Sequence, residues 1–294
     1  MLATLVSEPF HKAGWVFEEK YDGYRILAYK EGAKVTLLSR NAHDRRATFP
    51  SVAASIARLS DHTLLLDGEV VAFDRKGVSR FQLLQRGDSR HAFAVFDCLY
   101  RNGHDLRRDP LSSRQEAMRV AIGKPLNELF PAKRLNENGL AAYRIAARRG
   151  LEGIVAKDAA SPYEEKRSRY WLKVKVHQEE EFVIGGFTAP RGARQHIGAL
   201  LLGAYAGKDL HFVGKVGTGF SEELLSKLFE MFQPLIRQTT PFVVAPRAKE
   251  VTWLAPKLVA QIAFAEWTSD RKLRQPVFLG LRDDKDPREV VLKD

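Results

Sequence analysis

Short runs of alternating apolar and polar positions dominate the first part of the chain. Their β-branched and aromatic content predicts strands over 15–19, 24–30, 34–38, 63–73, 92–97, 152–157 and 170–176. One stretch switches to a helical period: Leu140, Tyr143 and Ala147 recur over 139–149, and Gly150 follows as a terminator. Strands interspersed with helices predict an α+β fold for this part. The polar stretch HQEEE at 177–181 separates the apolar run ending at Val176 from the one starting at Phe182. It places a boundary between a first domain over 1–177 and a second over 178–294.

The second part is patterned differently. FVIGGF, IGALLLGAY and LHFVGKVG are apolar runs broken by glycines, and VAQIAFAEWT (259–268) and PVFLGL (276–281) add further strand candidates. Between them lies an amphipathic helix. Ser221 can cap it, Glu222 and Glu223 suit its positive end, and Leu224, Leu225, Leu228, Phe229 and Phe232 form its apolar face. Several short strands with one interrupting helix suit a small OB-fold barrel, an architecture that often binds nucleic acid. Fold alone does not establish function.

Composition narrows the class. The chain has 294 residues, 45% hydrophobic and 28% charged, which fits a folded protein with room for two cores and excludes a disordered or fibrous one. No apolar run reaches the roughly 18 to 20 residues that cross a bilayer, and the start MLATLVSEPFHKAG lacks a basic segment followed by an apolar one. A cytoplasmic protein is therefore expected. Cys98 has no partner in the chain, so no internal disulfide can form, and a buried, inert thiol is expected. The net charge of +11 favours a polyanionic partner through counterion release, which points to nucleic acid.

The sharpest local signal is EEKYDGYRI, Glu18 to Ile26, with Lys20 ending one strand candidate just before a Gly turn into the next. A primary amine attacks phosphorus once it loses its proton, which at an ordinary pKa of about 10.4 requires help from its surroundings. Glu18, Glu19 and Asp22 oppose that loss, so a bound divalent cation is expected to neutralise them in part. Taken alone, the motif also fits an exposed lysine in a hairpin. In WLKVK, Lys173 and Lys175 emerge on one face of a strand, where two cations can converge on one phosphate.

EKYDGYR, LLSRN (37–41), LDGEVV (66–71), FAVFD (93–97), EGIVAK (152–157) and WLKVK (171–175) stand in this order. The series resembles the six-motif pattern of the covalent nucleotidyltransferases, which comprise DNA ligases, RNA ligases and mRNA capping enzymes. GLRDDK (280–285) resembles the family's carboxy-terminal motif on its OB domain. The resemblance implies an adenylation domain of antiparallel sheets and helices followed by an OB-fold. It implies that Lys20 forms a phosphoamide with the AMP of ATP, that Arg25 and Glu69 hold the ribose, and that Arg40 lies near the phosphate. By the same resemblance Phe96 stacks on the adenine, Glu18 contacts the base, and Lys173, Lys175 and Arg167 contact the nucleotide. Glu69 and Glu152 are the carboxylates expected to bind Mg2+ or Mn2+, hard cations that prefer oxygen. Arg282 and Lys285 would reach the leaving pyrophosphate, which requires the second domain to close over ATP, with 177–181 as the pivot.

The segment EEEFVIGGFTAPRGARQHIGALLLGAY, with LHFVGKVGTGF after it, resembles the ligase module of the bacterial ligase D proteins of non-homologous end joining. That implies a monomeric DNA ligase of the bacterial cytoplasm, acting with the nucleoid on 5′-phosphate/3′-hydroxyl nicks in duplex DNA. The end-binding protein Ku and polymerase and nuclease modules are the implied partners. Arg191, Arg194, Lys208 and Lys215, in or beside Gly-rich turns, are candidate DNA-phosphate contacts. Two alternatives stay open: an RNA ligase or capping-type enzyme sharing Lys20, and a non-catalytic OB-fold protein that binds nucleic acid.

Overall fold

The computed structural model describes residues 1–84, 90–176, 178–190, 196–248 and 250–292. It divides into two compact units, Met1–Val176 and His177–Asp294. In the first unit the strands are β1 (Leu2–Leu5), β2 (Trp15–Lys20), β3 (Tyr24–Glu31), β4 (Lys34–Ser39), β5 (Thr63–Val71), β6 (Ala92–Arg101), β7 (His104–Asp105), β8 (Leu129–Pro131), β9 (Arg134–Asn136), β10 (Gly153–Asp158) and β11 (Arg167–Lys175). The helices are α1 (Pro50–Ala57), α2 (Phe81–Leu84), α3 (Leu111–Ile122) and α4 (Gly139–Arg149).

These strands form two sheets, ordered β1-β11-β10-β2-β9 and β4-β3-β5-β6-β7, with β8 added alongside β6. In the first sheet Lys20, Gly153 and Lys175 lie side by side across three strands, as do Glu18, Val155 and Lys173. Successive strand residues face opposite ways, so one face carries the charged rows while Phe17, Ile154, Ala156 and Val174 of the other pack with Ala142 and Ala146 of α4. Asn138 caps α4 by accepting from the Ala141 amide at 3.1 Å, and Gly150 ends it in the left-handed region at φ 67°.

The apolar stripe expected on α4 needs correction. Leu140 is 42% exposed, whereas Gly139, Ala142 and Ala146 are buried. The helix lies so close to the sheet that only small residues fit, and a Cβ on Gly139 would stand 2.0 Å from the Phe10 carbonyl oxygen. In the second sheet, Tyr24, Ile26, Leu66, Val70 and Phe93 pack with Val52 and Ile56 of α1 and Met118 of α3. Cys98 is in this core, and burial, followed by the charge of Asp97, pushes its thiol up to about 12.

The second unit contains β12 (Gln178–Thr188), β13 (Leu200–Ala206), β14 (Asp209–Val216), β15 (Ile236–Arg237), β16 (Val251–Phe264), β17 (Glu266–Trp267), β18 (Leu273–Arg274) and β19 (Val277–Leu281). The sheet runs β14-β13-β12-β16-β15, with β19 on β16. The helix α5 (Glu222–Phe232) forms as its sequence predicts: Ser221 accepts from the Leu224 amide at 3.2 Å, and Leu225, Leu228 and Phe232 are buried. Strand β16 begins at Val251, well before 259, because a bulge around Pro256 lets one strand bend without ending. Gln178 to Glu181 form ladder pairs with Phe264 to Gln261, so these positions of the polar stretch are the first residues of β12 in the second unit, directly after the division between the units. Among the described residues no helix is long and apolar enough to cross a membrane.

Candidate active site

Lys20 ends β2, and the turn after it is fastened to its surroundings. Asp22 accepts from the Phe81 amide at 2.9 Å and its own amide donates to Ser79 Oγ at 3.0 Å. Gly23 passes so near β5 that a Cβ would lie 2.1 Å from the Val70 carbonyl oxygen. The lysine therefore projects from backbone held on both sides. Its ammonium donates to Glu152 Oε2, and Lys175 Nζ is 3.5 Å from Glu152 Oε1. The side chains of Lys20, Lys175 and Glu152 are 17%, 20% and 6% exposed, so this triad is largely withdrawn from water.

Burial alone would lower the pKa of Lys20, but Glu152, helped by Glu69 and Asp22, overrides it and raises the value. Burial would likewise raise Glu152, yet Lys20, Lys175 and Lys173 hold it down. The group that keeps the proton on Lys20 is thus chiefly Glu152, not the neighbours Glu18 and Glu19 expected from the sequence. Glu18 is committed elsewhere: its Oε2 accepts from Lys157 at 2.5 Å and its Oε1 from Gln115 at 2.6 Å. Glu19, one position out of phase with Lys20, lies 3.7 Å from Arg149.

The opposing sheet brings Arg25 into the same region. Its Nε and Nη2 donate to the two oxygens of fully buried Asp67 at 3.0 and 2.6 Å, and the Tyr163 hydroxyl donates to Asp67 at 2.8 Å. Burial would raise the Asp67 pKa, but Arg25 and Tyr163 keep it lowered. Glu69 stands opposite Arg25 in the ladder. Phe96 meets Trp171 edge-on at 5.6 Å, and the Arg25 guanidinium lies 5.5 Å from its ring centroid. Lys157 Nζ lies 4.4 Å from Phe96 and 4.3 Å from Trp171. Sequence reasoning assigned no role to Lys157, Asp67, Tyr163 or Gln115. The first two were signalled by their phase, since Lys157 shares a strand face with Val155, and Asp67 with Glu69.

Other expected residues are more peripheral. Arg40 is exposed in the turn after β4, and Arg167 is exposed at the start of β11, where it donates to the Ala3 carbonyl at 2.7 Å. In the second unit Arg282 makes paired bonds of 2.7 and 2.8 Å to Asp284 and one of 3.1 Å to Gln261. Glu181 receives Lys285 at 3.4 Å. Lys208 and Lys215 are exposed, and Lys215 borders a cavity of about 700 Å³ with His211, Phe212, Arg247 and Lys272. Arg191 and Arg194 lie outside the described residues. Among the described residues no group of three or more His, Cys, Asp or Glu side chains could hold a metal by itself.

Residues 1–175 match the family described as ATP dependent DNA ligase domain, and residues 193–285 match that described as ATP dependent DNA ligase C terminal region. The chain is 37% identical over 303 residues to the multifunctional non-homologous end joining protein LigD of Pseudomonas aeruginosa, covering 99% of this chain and 36% of that protein. It is 39% identical over 302 residues to the LigD of Mycobacterium tuberculosis H37Rv, covering 99% of this chain and 39% of that protein. It thus spans well under half the length of these relatives. Among solved structures, mycobacterial DNA ligase D complexed with ATP and MES matches with a TM-score of 0.73 at 34% identity, covering 99% of this chain and 98% of that one. The ligase domain of M. tuberculosis LigD matches with a TM-score of 0.52 at 35% identity, covering 99% and 98%. With the adenylation unit, the OB-fold unit and the motif lysine all in place, the chain belongs to the ATP-dependent DNA ligase family.

Proposed function

We propose that the chain seals 5′-phosphate/3′-hydroxyl nicks in duplex DNA, with Lys20 as the covalent carrier of AMP. The observation that carries this reading is the triad of Lys20, Glu152 and Lys175, largely withdrawn from water on one sheet face, together with the Arg25–Asp67 pair of the second sheet. Deprotonated Lys20 attacks the α-phosphorus of ATP; an N–P bond forms and the bond to pyrophosphate breaks. An oxygen of the DNA 5′-phosphate then takes the adenylyl group, and the lysine amine is regenerated. Finally the 3′-hydroxyl attacks the activated phosphate, closing the phosphodiester and releasing AMP. Lys173 and Lys175 stabilise charge on the α-phosphate, a fixed electrostatic contribution in a partly desolvated site. Arg25 and Glu69 serve the ribose, Phe96 and Glu18 the base, Arg40 and Arg167 the rest of the nucleotide, and Arg282 and Lys285 the leaving pyrophosphate.

The donor set fits Mg2+ or Mn2+ only as a shared site. Glu69 and Glu152 supply carboxylate oxygens, and phosphate oxygens and water would complete the shell, the usual arrangement for Mg2+. Such a cation would supply charge neutralisation at the phosphates and competition for Glu152. Within the chain, the counterpart is that Glu152 must loosen its hold on Lys20 before the amine can lose its proton.

The names of the relatives support a place in non-homologous end joining of bacterial DNA. Polymerase or nuclease modules and Ku are proposed as partners on the strength of the sequence resemblance to ligase D. Exposed Lys208 and Lys215 are proposed to contact DNA phosphates. The decisive test is intact-mass spectrometry of protein first stripped of bound adenylate, then incubated with ATP and a divalent cation. A gain of one adenylyl group, lost in Lys20→Ala, is expected, with sealing of a nicked duplex lost in parallel. No gain in the unaltered protein would end the proposal.

A further inference from the structure

The carboxylate of Glu18 is gripped by groups from two other elements. Lys157 of β10 donates to one oxygen at 2.5 Å, and Gln115 of α3 donates to the other at 2.6 Å. Gln115 is 2% exposed, and its own Oε1 accepts from Arg134 of β9 at 2.6 Å. Neither Gln115 nor Arg134 belongs to any of the motif blocks, and nothing in Lys20 chemistry requires them.

The direction of these bonds carries information. An amide offers an acceptor on one side and a donor of nearly the same shape on the other, so it can sit either way round. A guanidinium only donates. Arg134 therefore selects the orientation in which Gln115 Oε1 faces outward and Nε2 faces Glu18. Without Arg134 the amide could turn over and set its lone pairs against a carboxylate. A carboxylate paired with lysine is an acceptor, with about four lone-pair sites in all, of which two are occupied. The others can take a hydrogen from an exocyclic amino group, as adenine carries at position 6, and repel a carbonyl oxygen in the same place, as guanine carries.

We infer that Gln115 and Arg134 form a relay that fixes the acceptor polarity of Glu18 and so sets the preference for a 6-amino over a 6-oxo purine. The relay rests on the proposed role of Glu18 at the base. Gln115 and Arg134 act through it as positioning residues.

The experiment measures lysyl-adenylate formation with ATP, GTP and the triphosphate of purine riboside, which has only hydrogen at position 6. In the unaltered protein ATP is expected to be preferred over both. Gln115→Met should raise the KM for ATP about tenfold, the size of a hydrogen bond to a charged group, and leave kcat unchanged. It should also bring ATP and the purine riboside nucleotide close to parity. Arg134→Met alters an exposed side chain and should move discrimination the same way by a smaller factor, which keeps the test open even if the first variant folds poorly. Full discrimination in both variants, or equal losses on ATP and its unsubstituted analogue, would overturn the relay alone. Absence of any adduct in the unaltered protein would instead remove the reading of Lys20, and the relay with it.

Discussion

Arg114 and Asp97 form an ion pair with both side chains 0% exposed, joined by two bonds of 2.8 Å. The remaining guanidinium nitrogen donates to the carbonyls of Asp109 and Ser161 at 2.6 and 2.8 Å, which ties α3 to the segment leading to Tyr163. Replacing Arg114 by Met keeps the volume and leaves Asp97 buried without its cation. Breaking such a pair costs about 3–5 kcal/mol. For a unit of this size that lowers Tm by roughly 6–20 °C, measurable by scanning calorimetry. The loss should depend on pH. Burial already holds the Asp97 carboxyl above its usual range while Arg114 pulls it down, so removing Arg114 raises it further. Where the folded-state value exceeds the unfolded one, the folded protein binds the extra proton. Stability of Arg114→Met should therefore rise as pH falls from 8 toward 5, by up to about 1.4 kcal/mol per pH unit. Adding Asp97→Asn should abolish that slope. A variant within 1 °C of the unaltered protein at both pH values would refute the reasoning.

Three further outcomes are expected. Gly23→Ala forces the turn after Lys20 away from the Val70 carbonyl, and adenylate formation should drop about a hundredfold, as for an ångström-scale misplacement of a reacting group; an unchanged rate would show that the turn does not set the amine. Ala146→Leu overpacks the α4 interface and should cost about 1–3 kcal/mol by urea unfolding, whereas Leu140→Ala at an exposed position should cost under about 0.5 kcal/mol. The reverse ranking would restore the stripe predicted from sequence. Cys98, buried and with its thiol pushed up to about 12, should resist iodoacetamide at pH 8 until denaturant is added; rapid labelling of the native protein would contradict its burial.

Most strands and the motif blocks could be picked out of the sequence, because alternation and glycine placement are local signals, although Asp67 and Lys157 inside those blocks were given no role. What escaped depends on partners distant in the chain. The acids at 179–181 read only as a polar boundary because their partners, Gln261, Arg282 and Lys285, lie about a hundred positions away. Leu140 looked like core because spacing gives a helix's apolar face but not how closely its neighbour approaches. Gln115 and Arg134 carried no signal at all: a lone amide and a lone arginine become a relay only once α3 and β9 are folded against β2. Lys20 could be singled out from its sequence, but Glu152 as the group that keeps it protonated could not.

The alternation of faces in β2 has a consequence for how its length can vary. One residue inserted between Trp15 and Lys20 would rotate the downstream half of the strand by half a turn, sending the amine into the α4 interface and offering Glu19 to the nucleotide. Two inserted residues would restore the phase but carry the amine about 7 Å along the sheet, beyond Glu152. By contrast, the exposed hairpin tip at 75–77 can lengthen without moving any charged row. The spacing from Trp15 to Lys20 is therefore constrained by strand parity and by the rise per residue together, and under the proposed role of Lys20 insertions of one or of two residues should both abolish adenylation.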